Sequence, residues 1–231
     1  MRSRSFPGMA RCRSARAALV FALMLCSAAC VHRAPPPSAD VPPPGPLALG
    51  GTTVMVMPAQ PGRGASPDLA AAFDAELAFW LADRAPRVHW IPAADVERLV
   101  RNAPAIRVDV HNLDVRAFEG MRVRRIGDPL FGDIHNLGGV LDARLALIPA
   151  ALAYLTPADS ATLPLGPGTG GKPPARPVIP APGRVEVTAA VVSTFGGEVV
   201  WLGVVAGEPA AIDSPRAVAS AARALARALL P

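Results

Sequence analysis

Residues 185–205 read VEVTAAVVSTFGGEVVWLGVV, the segment of this chain most informative about its fold. Both of its flanks, 185–192 and 199–205, are apolar and rich in β-branched valine, a composition typical of strands. Between them lies Thr194-Phe195-Gly196-Gly197, and its paired glycines favour a tight turn. We therefore predict a β-hairpin with Trp201 in the core. Phe195 either packs at the turn or stands exposed as a contact for a partner.

Upstream of this hairpin, the sequence alternates between predicted strands and helices. The apolar run 52–57 ends at Pro58 and predicts a buried strand. Ser66-Pro67 supplies a helix N-cap followed by a proline at the first helical position, and Pro86 sets the end of that helix. The apolar stripe of this helix comprises Leu69, Phe73, Leu77, Trp80 and Leu81.

The remaining segments complete the pattern, although 103–127 is ambiguous. His89 beside Trp90 is expected to be a half-buried structural histidine, and Pro149 indicates an edge strand or a bulge. The other predicted elements are a strand at 88–91, a short helix around 96–100, a helix at 130–141, a strand at 144–154 and a helix opening at Ser214-Pro215.

The predicted order is β-α-β-α-(α)-β-β-β-α. It defines an α/β fold, a two-layer sandwich in which helices pack on a mixed sheet of about five strands. Residues 51–231 form a single domain in this prediction. Within it, residues 157–183 contain eight prolines and five glycines. We expect this segment to be an exposed insert, because such a composition packs poorly.

The charge of the chain is concentrated at its amino terminus. The formal net charge is +5. Residues 1–29 hold five arginines and no acid, so the bases and acids after them balance at 18 each. This balance argues against a nucleic-acid partner. The three cysteines all precede the predicted domain, which excludes a disulfide scaffold, and no later apolar run is long enough to span a membrane.

Residues 1–29 are typical of a signal peptide. Arg11, Arg13 and Arg16 precede the apolar run 17–26, and small residues follow it. The tetrad Ser27-Ala28-Ala29-Cys30 resembles the bacterial lipobox, although Ser27 stands where leucine is usual. The resemblance implies that Cys30 is acylated and becomes the first mature residue. An ordinary signal peptide cut near Ala29 is the alternative.

After Cys30, residues 30–50 read as a proline-rich tether. Val31 follows the cysteine in place of an aspartate that would resemble an inner-membrane retention signal. We therefore expect a lipid-anchored protein on the periplasmic face of the outer membrane, exported by the general route.

Together, these features resemble a group of envelope lipoproteins. The lipobox, the tether, the strand ending in Met57-Pro58 and the hairpin segment Gly196–Trp201 are similar to those of the curli-assembly lipoprotein, the activator lipoprotein of penicillin-binding proteins and the amino-terminal domain of TolB. The resemblance covers about residues 52–230. It implies a protein that works by binding other envelope proteins, and the sequence does not indicate the oligomeric state.

Two kinds of side-chain cluster are candidate sites. Arg122, Arg124 and Arg125 form a basic patch for anionic lipid or an acidic partner, or a solvated face. The pairs Asp109/His111 and Asp133/His135 have a D-x-H spacing that could supply metal ligands or an acid–base dyad.

No nucleophile motif is present, so we expect a non-catalytic interaction module with no cofactor and no metal. The alternative is an envelope enzyme or a protein that binds a small ligand or a metal through Asp109 and His111.

Overall fold

The computed structural model describes residues 45–103, 105–120, 122–156 and 182–231. The described residues belong to one compact unit. The predicted signal peptide, Cys30, most of the tether and residues 157–181 of the predicted insert lie outside the described residues.

Five strands form one mixed sheet, as predicted. They are β1 (Thr53–Val56), β2 (His89–Ile91), β3 (Leu145–Leu155), β4 (Arg184–Ser193) and β5 (Val199–Ala206). Their order across the sheet is β2-β1-β3-β4-β5. β1 pairs in parallel with β2 and β3, whereas β3, β4 and β5 pair antiparallel. The sheet therefore has a parallel half and an antiparallel half.

Among the described residues, four α-helices pack on this sheet, and the element order matches the prediction. The helices are α1 (Pro67–Arg84), α2 (Ala93–Asn102), α3 (Leu130–Leu141) and α4 (Pro215–Leu229). In the ambiguous segment, a short 3-10 helix covers Val115–Phe118. In the part of the chain that the structure describes, no helix is both long enough and apolar enough to cross a bilayer.

The bounds of α1 follow from its sequence signals. The Ser66 hydroxyl accepts a hydrogen bond from the backbone N–H of Leu69 at 3.1 Å, and Pro67 occupies the first turn. Capping of this kind contributes about 1 kcal/mol. The helix ends at Arg84, two residues before Pro86. Its buried side chains are those of Leu69, Ala70, Phe73, Leu77 and Leu81.

Helices cover both faces of the sheet, one pair on each, and not the single face that the predicted two-layer sandwich implies, because the buried apolar residues of β1 point to both sides. Val54 and Val56 point into a core cluster shared with α1 and α4. Met55 and Met57 point into a second cluster, shared with α2 and α3. Alternate side chains of β1 therefore point to opposite faces of the sheet, and each face packs against its own pair of helices.

The hairpin of β4 and β5 is confirmed, and its turn explains the glycines. Gly197 has φ of +68°, a conformation that glycine adopts without strain. A Cβ at this position would lie 2.8 Å from Cδ2 of Phe131. Trp201 is 3% exposed, as predicted, whereas Phe195 at the tip is 69% exposed.

β3 contains the irregularity that Pro149 indicates. Its register with β4 shifts between Pro149 and Ala151. Because β3 lies in the middle of the sheet, the bulge is the correct alternative and the edge strand is not. At its far end β3 pairs with β4 through Leu155 and Arg184, directly at the boundaries of the connecting segment.

One expectation about an individual side chain is wrong. His89 is exposed, not half-buried. It begins β2, which has only three residues and forms an edge of the sheet, so few neighbours cover its side chain.

Candidate functional site

The predicted basic patch lies against the tip of the β4–β5 hairpin. Backbone hydrogen bonds join it to the hairpin: Ile126 N–H donates to Gly197 O at 2.8 Å, and Val199 N–H donates to Arg124 O at 2.9 Å. Residues 124–126 therefore act as a short additional strand beside the start of β5.

Arg125 is the structural member of this patch. Its Nε donates to the Gly196 carbonyl at 2.7 Å, and its Nη2 lies 3.8 Å from Oε1 of Glu198. The ion pair is exposed, so it contributes little stability, but it neutralises part of the patch. Arg122 and Arg124 are also exposed. A role in binding an anionic partner remains a prediction for these three arginines.

Asp109 and His111 lie together on an exposed loop. Oδ1 of Asp109 accepts a hydrogen bond from the backbone N–H of His111 at 3.2 Å, so this carboxylate shapes its own turn. Nε2 of His111 lies 3.8 Å from Oε1 of Glu97, on α2. The imidazole therefore faces a carboxylate that the sequence pattern did not pair with it.

Asp133 and His135 lie on α3, where a spacing of two residues turns them to different sides. Nδ1 of His135 lies 3.0 Å from the carbonyl oxygen of Thr194, and its ring packs 5.5 Å from the ring of Phe131. Burial raises the pKa of Asp133, and the nearby carboxylate of Asp128 raises it further. Asp133 lines a cavity of about 390 Å³ with Arg107.

The two Asp/His pairs contact different elements. One pair lies against α2 and the other against the hairpin tip. Within the described ranges, no group of three or more histidine, cysteine, aspartate or glutamate side chains is arranged to hold a metal ion. The contacts therefore give no support to a shared acid–base or metal site built from these four residues.

A carboxylate that the sequence reasoning missed lies at the carboxyl end of β1. Both oxygens of Asp74 accept from the backbone N–H of Ala59 at 3.1 Å. Burial raises the pKa of Asp74 to about 7; the Ala59 N–H opposes this shift, and the charge of Glu97 adds to it. Its position directly after Phe73, in the buried stripe of α1, was the available signal.

A buried glutamine extends this polar region. Nε2 of Gln60 donates to the carbonyls of Pro58 at 2.8 Å and Val110 at 2.9 Å, and its Oε1 accepts from Leu113 N–H at 3.2 Å. The loop after β1 is thereby tied to the loop that carries Asp109 and His111. Asp74 and Gln60 form hydrogen bonds to the backbone of their own domain. This region is therefore a structural network that contains one titratable group, the carboxyl group of Asp74.

A second feature that the sequence reasoning did not treat as a site lies along α4. Arg216, Arg223 and Arg227 point away from the apolar face of this helix and line an open groove of about 630 Å³. The guanidinium carbon of Arg223 lies 5.1 Å from the ring centroid of Trp80, which also lines the groove. The sequence signal was a helix with three arginines and no acid.

The fold and these contacts define a mixed α/β domain with two basic surfaces and one buried polar network. Comparison with protein-family models and with curated proteins gives no match.

Among solved structures, the chain is similar to the PelC dodecamer from Paraburkholderia phytofirmans, with 14% identity, a TM-score of 0.42 and coverage of 83% of this chain and 96% of that one. It is also similar to lipoprotein GNA1162 from Neisseria meningitidis, with 15% identity and a TM-score of 0.41, over 69% of this chain and 84% of that one. A third similar structure is the hypothetical protein CT253 from Chlamydia trachomatis, with 9% identity and a TM-score of 0.31, over 68% and 72% of the two chains.

Proposed function

We propose that this protein is a lipoprotein of the bacterial envelope. In this proposal, acylated Cys30 anchors it to the periplasmic face of the outer membrane, and its domain is a non-catalytic module that binds another envelope protein. The observation that carries the proposal is the sequence of the amino terminus. There, a basic segment and an apolar run lead into Ser27-Ala28-Ala29-Cys30.

The last residues of the predicted tether segment pack against the domain. Leu47 N–H donates to the carbonyl of Leu229 at 2.8 Å, and Leu49 is buried in the cluster shared with α1 and α4. A fully extended chain from 31 to 44 would reach on the order of 40 Å at the rise of polyproline II. Such a reach would let the domain contact a partner away from the bilayer surface.

Metabolic labelling with an alkyne analogue of palmitate tests the anchor. We expect the wild-type chain to incorporate the label and Cys30→Ala to lose it. Cys26→Ala is the matched control, because it removes a cysteine from the same region and should leave labelling unchanged. Label that persists in Cys30→Ala would exclude acylation at this residue.

Membrane fractionation tests the location. We expect the labelled protein in the outer-membrane fraction and expect Val31→Asp to move it toward the inner membrane. If wild type and Val31→Asp both fractionate with the inner membrane, the proposed location is wrong while the lipid anchor stands.

Crosslinking in intact cells, followed by capture of the chain, tests the binding role. We expect a specific envelope protein in the crosslinked product. Recovery of lipid alone would contradict an interaction module.

A further inference from the structure

The groove along α4, called here the arginine groove, has a defined set of polar and aromatic walls. It runs between α4 and the segment 206–209 that follows β5. Its volume is about 630 Å³ and it is open to solvent along its length. The polar and aromatic side chains that line it are those of Trp80, Glu208, Arg216, Ser220, Arg223 and Arg227.

The arginine groove has an uncompensated positive charge. Arg216, Arg223 and Arg227 lie seven and four residues apart, which places them along one side of α4 over a length of about 16 Å. α4 contains no aspartate or glutamate, and among the described residues Glu208 is the one acid that lines the groove. Among the described residues, none of these three arginines forms an ion pair. Like charges gathered in a concave surface focus a positive potential.

Aromatic side chains at the same place add an apolar contact surface. Arg223 stacks over Trp80, an arrangement that orients the guanidinium before any ligand binds. Phe79 packs edge-on against Trp80, with ring centroids 5.3 Å apart, and is itself 62% exposed. An exposed phenylalanine next to Trp80, which itself lines the groove with the arginines, suits a ligand that has both carboxylates and an apolar side chain.

The undescribed segments of this chain are poor ligands for the arginine groove. Residues 1–30 are basic and contain no acid. Residues 31–44 hold one aspartate against one arginine, and residues 157–181 hold one aspartate against a lysine and an arginine. A ligand with several negative charges must therefore come from another molecule.

We infer that the arginine groove binds an acidic peptide segment of a partner protein. Its carboxylates pair with Arg216, Arg223 and Arg227, and an apolar side chain rests against Phe79 and Trp80. Arginine clusters are a recurring means of recognising acidic motifs, since each guanidinium can bind a carboxylate through two hydrogen bonds. A concave groove fits an extended chain better than it fits a flat bilayer. The inference rests on the proposed role as an interaction module and names the chemistry of the partner.

Fluorescence anisotropy with a defined probe tests the inference on the full processed protein, purified in a neutral detergent. The probe is a fluorescein-labelled peptide of six glutamates with one central phenylalanine. We expect binding at about 20 mM salt that weakens strongly at about 0.5 M salt, because screening reduces charge pairing. The variant Arg216→Gln/Arg223→Gln/Arg227→Gln should bind at least tenfold more weakly.

The matched control is Arg98→Gln/Arg101→Gln/Arg116→Gln, which removes the same charge from exposed side chains that do not line the arginine groove. It should change the affinity less than twofold. Glutamine preserves helix propensity, and near-ultraviolet circular dichroism shows whether both variants remain folded. Quenching of tryptophan emission by the probe should be present in wild type and smaller in Trp80→Phe, where Trp90 and Trp201 still emit, and this difference locates the bound peptide even if a triple variant unfolds.

Two further outcomes would overturn the inference. Equal weakening in both triple variants would mean that the peptide responds to net charge and not to the arginine groove. Vesicles containing phosphatidylglycerol that displace the probe, and whose own binding needs the three arginines of α4, would assign the groove to a lipid surface. The test does not depend on acylation, so loss of the palmitate label and loss of peptide binding report separately on the anchor and on the arginine groove.

Discussion

The half-buried carboxyl group of Asp74 should make the stability of the domain depend on pH. Its pKa is about 7 in the folded protein against 3.8 for the unperturbed group, and burial is the main cause. Between these two values the unfolded chain releases this proton while the folded chain keeps it. The free energy of unfolding should therefore fall as pH rises from about 4 to about 7, and this contribution should be constant above the folded pKa.

The magnitude follows from the size of the pKa shift. Each pKa unit corresponds to about 1.4 kcal/mol, so the full effect is about 4 kcal/mol. Between pH 5 and pH 8 the contribution of Asp74 to the free energy of unfolding should fall by about 2.5 kcal/mol. Asp74→Asn keeps a side-chain oxygen that can accept from the Ala59 N–H and removes the ionisation. The free energy of unfolding of wild type minus that of Asp74→Asn should fall by this amount over that range.

Urea denaturation at pH 5, 6, 7 and 8, followed by circular dichroism, measures this difference. Asp83→Asn is the matched control, since it removes an exposed carboxylate from the same helix. The difference between wild type and the control should stay level with pH. If the difference in the free energy of unfolding between wild type and Asp74→Asn also stays constant with pH, the pKa of Asp74 is not raised in the folded protein. If this difference rises with pH, the carboxylate is stabilised by a cation.

Three further predictions concern packing and hydrogen bonds. Gly138→Ala would place a Cβ 2.6 Å from Cβ of Thr194, so it should lower the free energy of unfolding by about 1–3 kcal/mol in urea titrations. Gly139→Ala, which meets no atom within 4 Å, should instead raise it by about 0.5–1 kcal/mol, and a matching loss in both variants would contradict the steric explanation. Tyr154→Phe removes a hydroxyl that bonds two backbone groups at 2.9 and 3.0 Å, and thermal unfolding should show a loss of about 1–2 kcal/mol; an unchanged midpoint would show that these bonds add nothing. Ser66→Ala removes the cap of α1 and should cost about 1 kcal/mol in chemical denaturation, with rescue by Ser66→Asp as the check on a capping role.

The sequence predicted the elements well where local chemistry dominates. Ser66-Pro67 and Pro86 bound α1, and Gly196-Gly197 marks the turn of the hairpin. Pro149 was compatible with an edge strand or a bulge, and only the pairing of β3 on both sides decided for the bulge. The sequence predicted two layers, whereas helices lie on both faces, because the buried run of β1 does not say which helix each face receives.

The candidate sites were predicted less well, because a site depends on contacts between distant segments. The D-x-H spacing suggested partners within each pair, yet His111 lies nearest to Glu97 and His135 to Thr194. Asp74 could be recognised as a candidate only from the structure, in which the loop after β1 lies next to its carboxylate. The acid-free row of arginines on α4 was visible in the sequence, but its groove depends on the packing of the 206–209 segment.

The pairing of Leu155 with Arg184 has a practical consequence for experiments in living cells. The two ends of the segment between β3 and β4 are held side by side by the sheet, so the length between them is only weakly constrained. Doubling the number of residues in a loop costs about 0.6 kcal/mol in closure entropy. This junction can therefore carry a fluorescent reporter. A fusion there leaves the amino end free for the proposed anchor and Pro231 free to accept its hydrogen bond from Arg84.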